Sequence, residues 1–246
     1  MQALSDNNTA VVTGGSKGIG LETCRRLVET GYRVVSLGRT PPEWSDSRFH
    51  FMEVDLLDSA ATSRTASEIA ERFDVSHFIH NAGTVLPASL GSMKGEDLHN
   101  LSQLHLGAAV ALAQAFVPAM TKRRFGRIIL ISSRGALSAP GRSAYSATKS
   151  GMIGLARSWA LELAAAGITV NVVAPGPIGG TEMFRSIVPE GSEREAALLK
   201  SIPVQRLGRV EDVVKSIMFF ADQDSDFITG QTLYVCGGTS VGVTLI

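Results

Sequence analysis

Thr13-Gly14-Gly15-Ser16-Lys17-Gly18-Ile19-Gly20 follows an apolar run of strand length, Thr9–Thr13, and opens a helical pattern, Ile19–Glu29. Glycines at 14, 18 and 20 permit a tight turn and let a phosphate approach the backbone. The helix beyond offers free N–H donors and the positive end of its dipole. A glycine-rich turn can also serve packing alone, but its setting between the first strand and the first helix favours a dinucleotide.

Outward from this turn, strand-length runs alternate with helical patterns. Strands are expected at Tyr32–Leu37, Phe49–Val54, His77–His80, Arg127–Ile131, Thr169–Ala174 and Gln231–Val235. Helices are expected at Ser59–Phe73, Leu98–Thr121, Ala144–Ala165 and Val210–Ala221. Val- and Ile-rich strands joined by helices indicate a parallel sheet covered on both faces. No repeat or linker divides the chain, so the expectation is one α/β domain over residues 1–246, a doubly wound parallel sheet of Rossmann type. Gly179 to Leu207 breaks the rhythm, and a segment so long between strand and helix reads as a substrate lid.

Composition excludes several functions. Lys plus Arg and Asp plus Glu both number 23, so bulk charge gives no case for nucleic acid or an anionic membrane. The basic run Lys122-Arg123-Arg124 sits where a helix should end and suits its dipole. Met1 to Asn8 are polar with no apolar core, so no signal peptide is expected, and no uninterrupted apolar run is long enough to span a bilayer. Cys24 and Cys236 fit no metal or redox spacing and read as thiols of a reducing compartment, the cytoplasm. His77 and His80 lie on a short strand without further ligands, and no metal is expected.

The second strand ends in Leu37-Gly38-Arg39-Thr40, without the acidic residue that grips a ribose 2′-hydroxyl. Arg39 and Lys17 could instead pair with a 2′-phosphate, which favours NADP(H) over NAD(H). Tyr145 and Lys149 stand four residues apart, on one face of a helix. A cation beside a phenol lowers its pKa towards the range of useful acid–base catalysis.

These motifs together resemble the short-chain dehydrogenase/reductase family, from Thr13 to Gly238 and in family order. The resemblance also rests on Asp55-Leu56, Asn81-Ala82-Gly83, Ile131-Ser132-Ser133, the run Asn-Val-Val-Ala-Pro-Gly at 171–176 and Ile228-Thr229-Gly230-Gln231. It implies that Gly14, Ser16, Lys17, Gly18, Ile19, Gly20, Arg39, Asp55, Leu56, Asn81, Ala82 and Gly83 hold the nucleotide. It implies that Tyr145 is general acid in reduction and general base in oxidation. Lys149 then holds the nicotinamide ribose and lowers the tyrosine pKa, and a serine polarises the carbonyl. Pro175, Gly176, Ile178 and Thr181 meet the nicotinamide end, and the assembly is a homotetramer.

Four positions depart from the family pattern. Counting along the strand selects Ser133 as the catalytic serine, whereas the usual separation from the tyrosine selects Ser132. Register resists shifts and loops lose residues easily, which favours Ser133. His105 replaces an asparagine of a proton relay and is expected to add pH dependence near its own pKa, unless it only packs. An extra residue before Thr181 unsettles its role. Cys236 replaces an aspartate and reads as a small hydrophobe. Ala136, Leu137, Leu86, Met183, Phe184 and Ile187 suggest an aliphatic pocket without clustered charge, for a neutral carbonyl or alcohol. The alternatives are a 3-ketoacyl-carrier-protein reductase and a nucleotide-binding regulator without turnover. Against the first, Ala166 stands where such reductases carry a basic residue, though Arg124 and Arg127 could partly substitute.

Overall fold

β1 (Thr9–Thr13) lies inside the sheet, hydrogen-bonded on one side to β2 (Arg33–Gly38) and on the other to β4 (Val75–His80) in the computed structural model, which describes residues 8–242. Most of the Met1 to Asn8 stretch lies outside the described residues. With β3 (Phe49–Glu53), β5 (Gly126–Ile131), β6 (Ile168–Pro175) and β7 (Thr232–Val235) it forms a seven-stranded sheet in the order β3-β2-β1-β4-β5-β6-β7. Every pairing is parallel.

Alternation along each strand sends neighbouring side chains to opposite faces. Val11, Val35, Phe78, Ile128 and Val170 meet α2 (Ser59–Arg72), α4 (Ala108–Arg123) and α5 (Ser143–Leu163) on one face. Ala10, Val12, Val34, Ile79 and Ile129 meet α1 (Gly18–Glu29) and α8 (Val210–Ala221) on the other. The expected doubly wound architecture is therefore the observed one. Each fully buried Val, Leu, Ile or Phe contributes about 1.5–3 kcal/mol relative to exposure, and both faces are filled with them.

Two segments differ from the sequence pattern. The expected helix Leu98–Thr121 is α3 (Gly95–Ser102) running into α4 through a π-helical turn at Gln103–Gly107. Gly107 allows the extra residue, because a Cβ there would strike the side chain of Gln103, whose amide donates to the Leu56 carbonyl at 3.2 Å. By length and composition this helix could cross a bilayer, but Leu112, Phe116 and Met120 are buried against the sheet. The segment 179–207, expected as a lid, contains two short helices, α6 (Glu182–Arg185) and α7 (Glu193–Ser201). Thr181 and Ser192 start them by accepting the backbone N–H three residues on.

Candidate active site

The order of the strands reverses between β1 and β4, and the C-terminal strand ends there open into a cleft of about 860 Å³. That is the usual ligand position in an open α/β sheet. The glycine loop forms one end. Gly14 and Gly18 have φ of 68° and 55°, and a Cβ on Gly14 would lie 3.0 Å from Cα of Ala82. A Cβ on Gly20 would fall on the Gly14 carbonyl. No side chain caps the N-terminus of α1, so its N–H groups remain open to a phosphate.

Thr13 fixes the neighbouring strand end. Its hydroxyl accepts the N–H groups of Asn81 at 3.0 Å and Ala82 at 2.9 Å, and it donates to Nδ1 of His80 at 3.0 Å. Nε2 of His80 donates to the Leu104 carbonyl at 3.1 Å, tying the glycine-loop side to the π-helical turn. His77 is likewise occupied, with Ser76 at 2.8 Å and the Ala221 carbonyl at 2.9 Å.

At the other end of the cleft β5 and α5 bring Ser132, Ser133, Tyr145 and Lys149 together. The two serines differ in their bonds. Ser132 donates to the Lys149 carbonyl at 2.7 Å, so its proton is committed to the α5 backbone. Ser133 accepts the Gly135 N–H at 2.9 Å, which leaves its own proton free. A Cβ on Gly135 would lie 3.0 Å from Cε1 of Tyr145 and 3.2 Å from Oγ of Ser133, so phenol ring and hydroxyl converge on that glycine.

Lys149 is buried and donates to the Ile131 carbonyl at 2.7 Å, and burial lowers its pKa from 10.5 to about 7. Tyr145 corrects an expectation. Burial raises its pKa, and the groups pulling it back are Ser133 and Arg142 rather than Lys149, whose Nζ is 5.9 Å from the ring centre.

His105 projects from the π-helical turn into the core beside Tyr145, with ring centres 5.8 Å apart. Thr84 offers its N–H to Nε2 at 3.4 Å, so Nδ1 carries the proton and donates to Thr148 at 2.8 Å. Thr148 passes its own hydrogen to the carbonyls of Ala144 and Tyr145, both at 3.1 Å. A Cβ on Gly83 would lie 3.0 Å from Nε2 of His105 and 3.2 Å from Nζ of Lys149, which places the two nitrogens around one glycine. Burial, with the charge of Lys149, depresses the imidazole pKa far below its ordinary value. That shift opposes the pH dependence expected of His105.

The other expected residues fall around the same cleft or above it. Thr181 faces the glycine loop, its Cγ2 3.5 Å from where a Gly18 Cβ would stand. The segment before it is held to Gly208, with the Gly179 N–H donating to the Gly208 carbonyl and the Gly208 N–H to the Pro177 carbonyl. Ile178 is buried, and Gly176 is needed because a Cβ would lie 2.7 Å from Cα of Cys236. Cys236 is not a purely apolar filler, since its thiol donates to Ser240 at 3.1 Å. Asp55 is exposed and accepts the Leu57 N–H at 3.0 Å, while the Leu56 side chain packs into the core. Arg39 is exposed at the end of β2, Ser16 donates to the Thr40 carbonyl, and Lys17 pairs with Glu182 of the lid.

The pocket expectation needs the largest correction. Met183, Phe184 and Ile187 line the cleft, but Leu86, Ala136 and Leu137 do not; Val85, Val188 and Leu198 do. Arg134, Arg142 and Arg194 also line it, from three separate segments, so the pocket is not free of clustered charge. Arg127 is buried, donating to the Asp222 and Gln223 carbonyls, and is unavailable as a docking residue.

A family profile described as enoyl-(acyl carrier protein) reductase matches residues 14–240. The chain belongs to the short-chain dehydrogenase/reductase family. Like its relatives, this dehydrogenase/reductase is an oxidoreductase of the carbonyl–alcohol class. The 3-oxoacyl-(acyl-carrier-protein) reductase FabG of Haemophilus influenzae is 34% identical over 237 residues, 93% of this chain and 96% of the relative. The (2S)-((R)-hydroxy(phenyl)methyl)succinyl-CoA dehydrogenase subunit BbsD of Thauera aromatica is 34% identical over 246 residues, 96% and 97% of the two chains. A candidate NAD(P)-dependent gluconate 5-dehydrogenase from Beutenbergia cavernae, solved with NADP at low occupancy, superposes with a TM-score of 0.88 at 28% identity, covering 96% of this chain and 97% of that one.

Proposed function

We propose that this protein is an NADP(H)-dependent oxidoreductase that interconverts a carbonyl and a secondary alcohol, with Tyr145 as proton donor and acceptor. The observation that carries the reading is the convergence of Tyr145 and Ser133 on Gly135, beside the buried Lys149. Ser133 is also close enough to the Tyr145 phenol to pull its pKa back, and two neighbouring hydroxyls suit an oxygen with two lone pairs, and so a C=O or C–OH group.

The glycine cradle fits a dinucleotide, because the turn packs too tightly for side chains at 14 and 20 while the uncapped N-terminus of α1 leaves N–H groups open to its phosphates. Gly14, Ser16, Lys17, Gly18, Ile19 and Gly20 would hold the phosphates, with Arg39 on the 2′-phosphate and Asp55 and Leu56 by the adenine. Asn81, Ala82 and Gly83 would border its middle, Tyr145 and Lys149 the ribose, and Pro175, Gly176, Ile178 and Thr181 the nicotinamide end. When bound, the nicotinamide supplies or accepts the hydride. In reduction, Tyr145 gives its proton to the substrate oxygen while Ser133 donates a hydrogen bond to the same oxygen. In oxidation, Tyr145 takes that proton back. Ser133 and Arg142 favour the resulting phenolate, and His105, through Nε2 near Nζ, borders a route by which protons reach Lys149.

Turnover of ketones and secondary alcohols, followed by NADPH absorbance, tests the reading. The expected result is catalysis with kcat/KM at least about tenfold higher for NADPH than NADH, the effect of one charge-assisted contact. Turnover of none, or a clear NADH preference, contradicts it. Similarity to the Haemophilus influenzae reductase favours a second reading, a 3-oxoacyl-carrier-protein reductase, with exposed Arg124 as the remaining basic docking residue. The assembly we propose is a cytoplasmic homotetramer; exposed Leu161 on α5 and Leu233 on the edge strand β7 offer apolar contacts.

A further inference from the structure

The cleft holds three arginines, of which only Arg142 bears on Tyr145 in the reaction above. Arg134 directly follows Ser133, Arg142 lies just before α5 and three residues from Tyr145, and Arg194 projects from α7 of the lid. All three line the cavity that contains Tyr145, and no Asp or Glu lines it. Arg134 and Arg142 are half-buried and Arg194 is exposed.

None of the three belongs to an ion pair among the described residues. Of the lid acids, Glu182 is engaged with Lys17, and Glu190 and Glu195 with Arg185, while Glu193 does not line the cleft. Guanidinium groups gathered at a cleft with no acidic side chain in its lining leave room for an anion brought by a ligand. Their planar forks match the paired oxygens of a carboxylate or phosphate. Arg142 is close enough to the Tyr145 phenol for its charge to act on it, so an anion on Arg142 would lie near the phenol. Met183, Phe184 and Ile187 supply apolar wall for a short carbon chain between the two points.

We propose that the substrate carries an anionic group, a carboxylate or a phosphate, held by Arg134 and Arg142 with Arg194 joining from the lid, while its carbonyl or alcohol carbon faces Tyr145 and Ser133. This rests on the carbonyl–alcohol reading and narrows it to oxo or hydroxy acids and their phosphate counterparts.

Two matched pairs of probes test it: levulinate against methyl levulinate, and hydroxyacetone phosphate against hydroxyacetone. The charged member of one pair should have a kcat/KM about tenfold or more higher in the wild type, the effect of one charge-assisted contact. In Arg134→Gln/Arg142→Gln that advantage should fall to near parity, chiefly through KM. The pair that shows it tells carboxylate from phosphate. Parity in the wild type for both pairs, or an undiminished advantage in the variant, overturns the proposal.

Thermal stabilisation by glutarate or inorganic phosphate reads the anion site without turnover and should be lost in the same variant. Stabilisation without turnover of any probe keeps the anion site and overturns the carbonyl reading. Absence of both overturns the two together. The NADPH dissociation constant should stay within about threefold of the wild type in the variant, since a tenfold change is what one contact carries. A tenfold loss there would assign the arginines to the cofactor and overturn the proposal.

Discussion

The glycine loop at 14–20 and the lid at 179–207 face each other across one cleft, but they are built to recognise by different means. The loop works through backbone: glycines at 14 and 20 leave no room for side chains, and an uncapped helix end presents N–H groups. The other end, where we propose that substrate binds, is lined by side chains that follow β5, precede or belong to α5, or come from 179–207, among them Ser133, Tyr145 and three arginines. A backbone site is written in contiguous residues and tolerates little change. A side-chain site is assembled by the fold, and its specificity can move with single substitutions.

The contrast breaks if the loop accepts side chains. Gly20→Ala sets a methyl group against the Gly14 carbonyl and should weaken NADPH binding by about a hundredfold or more, a loss of several kcal/mol. Equilibrium titration checks it, with a thermal melt to confirm that the variant is folded.

A smaller effect separates the two serines. Ser133→Ala should reduce kcat by about a hundredfold, the usual effect of removing one donor to a reacting oxygen. Ser132→Ala, which loses only a bond to the Lys149 carbonyl, should cost a few-fold at most. Steady-state kinetics of both variants would reverse the assignment if Ser132→Ala proved the more damaged.

Arg39→Ala should weaken NADPH about tenfold and leave NADH nearly untouched, which a pair of titrations reads directly. Equal losses for the two cofactors would remove the case for a 2′-phosphate contact.

The smallest effect concerns stability. Lys149 holds its proton less tightly when folded, at about 7, than at its ordinary 10.5. Between those values the unfolded chain binds more protons, so stability rises with pH, and below about 7 the full penalty of the buried charge is present. In cofactor-free protein, Lys149→Met should therefore raise Tm by a few degrees, with ~1 kcal/mol worth about 2–4 °C at this chain length. The gain should be larger at pH 6 than at pH 9; the opposite order would show that Lys149 is not held as a costly buried cation.

The same contrast decides what was legible in the sequence. All seven strands were readable as short apolar-rich runs, most clearly where a strand buried on both faces reads Ile128-Ile129-Leu130-Ile131 with no polar interruption. The glycine loop and the Tyr145/Lys149 spacing are local patterns and were readable too. The π-helical turn at Gln103–Gly107 was not, since one extra residue barely disturbs a helical hydrophobic pattern, yet it sets the position of His105. The lid helices had a signal that went unused: Ser192 with Glu195 three residues on resembles a helix start. Arg134, Arg142 and Arg194 had none, because no local pattern tells that three segments meet in one cleft. Burial was also invisible, and it reversed the expected pKa of Tyr145.

The most direct test of the central claim is Tyr145→Phe, measured for both turnover and NADPH binding. Removing the hydroxyl alone should lower kcat for carbonyl reduction by about a thousandfold, within the usual reach of a general acid, and leave the NADPH dissociation constant within a few-fold. Substantial turnover in the variant, or a parallel collapse of NADPH binding, would contradict the assignment of Tyr145 as the proton donor.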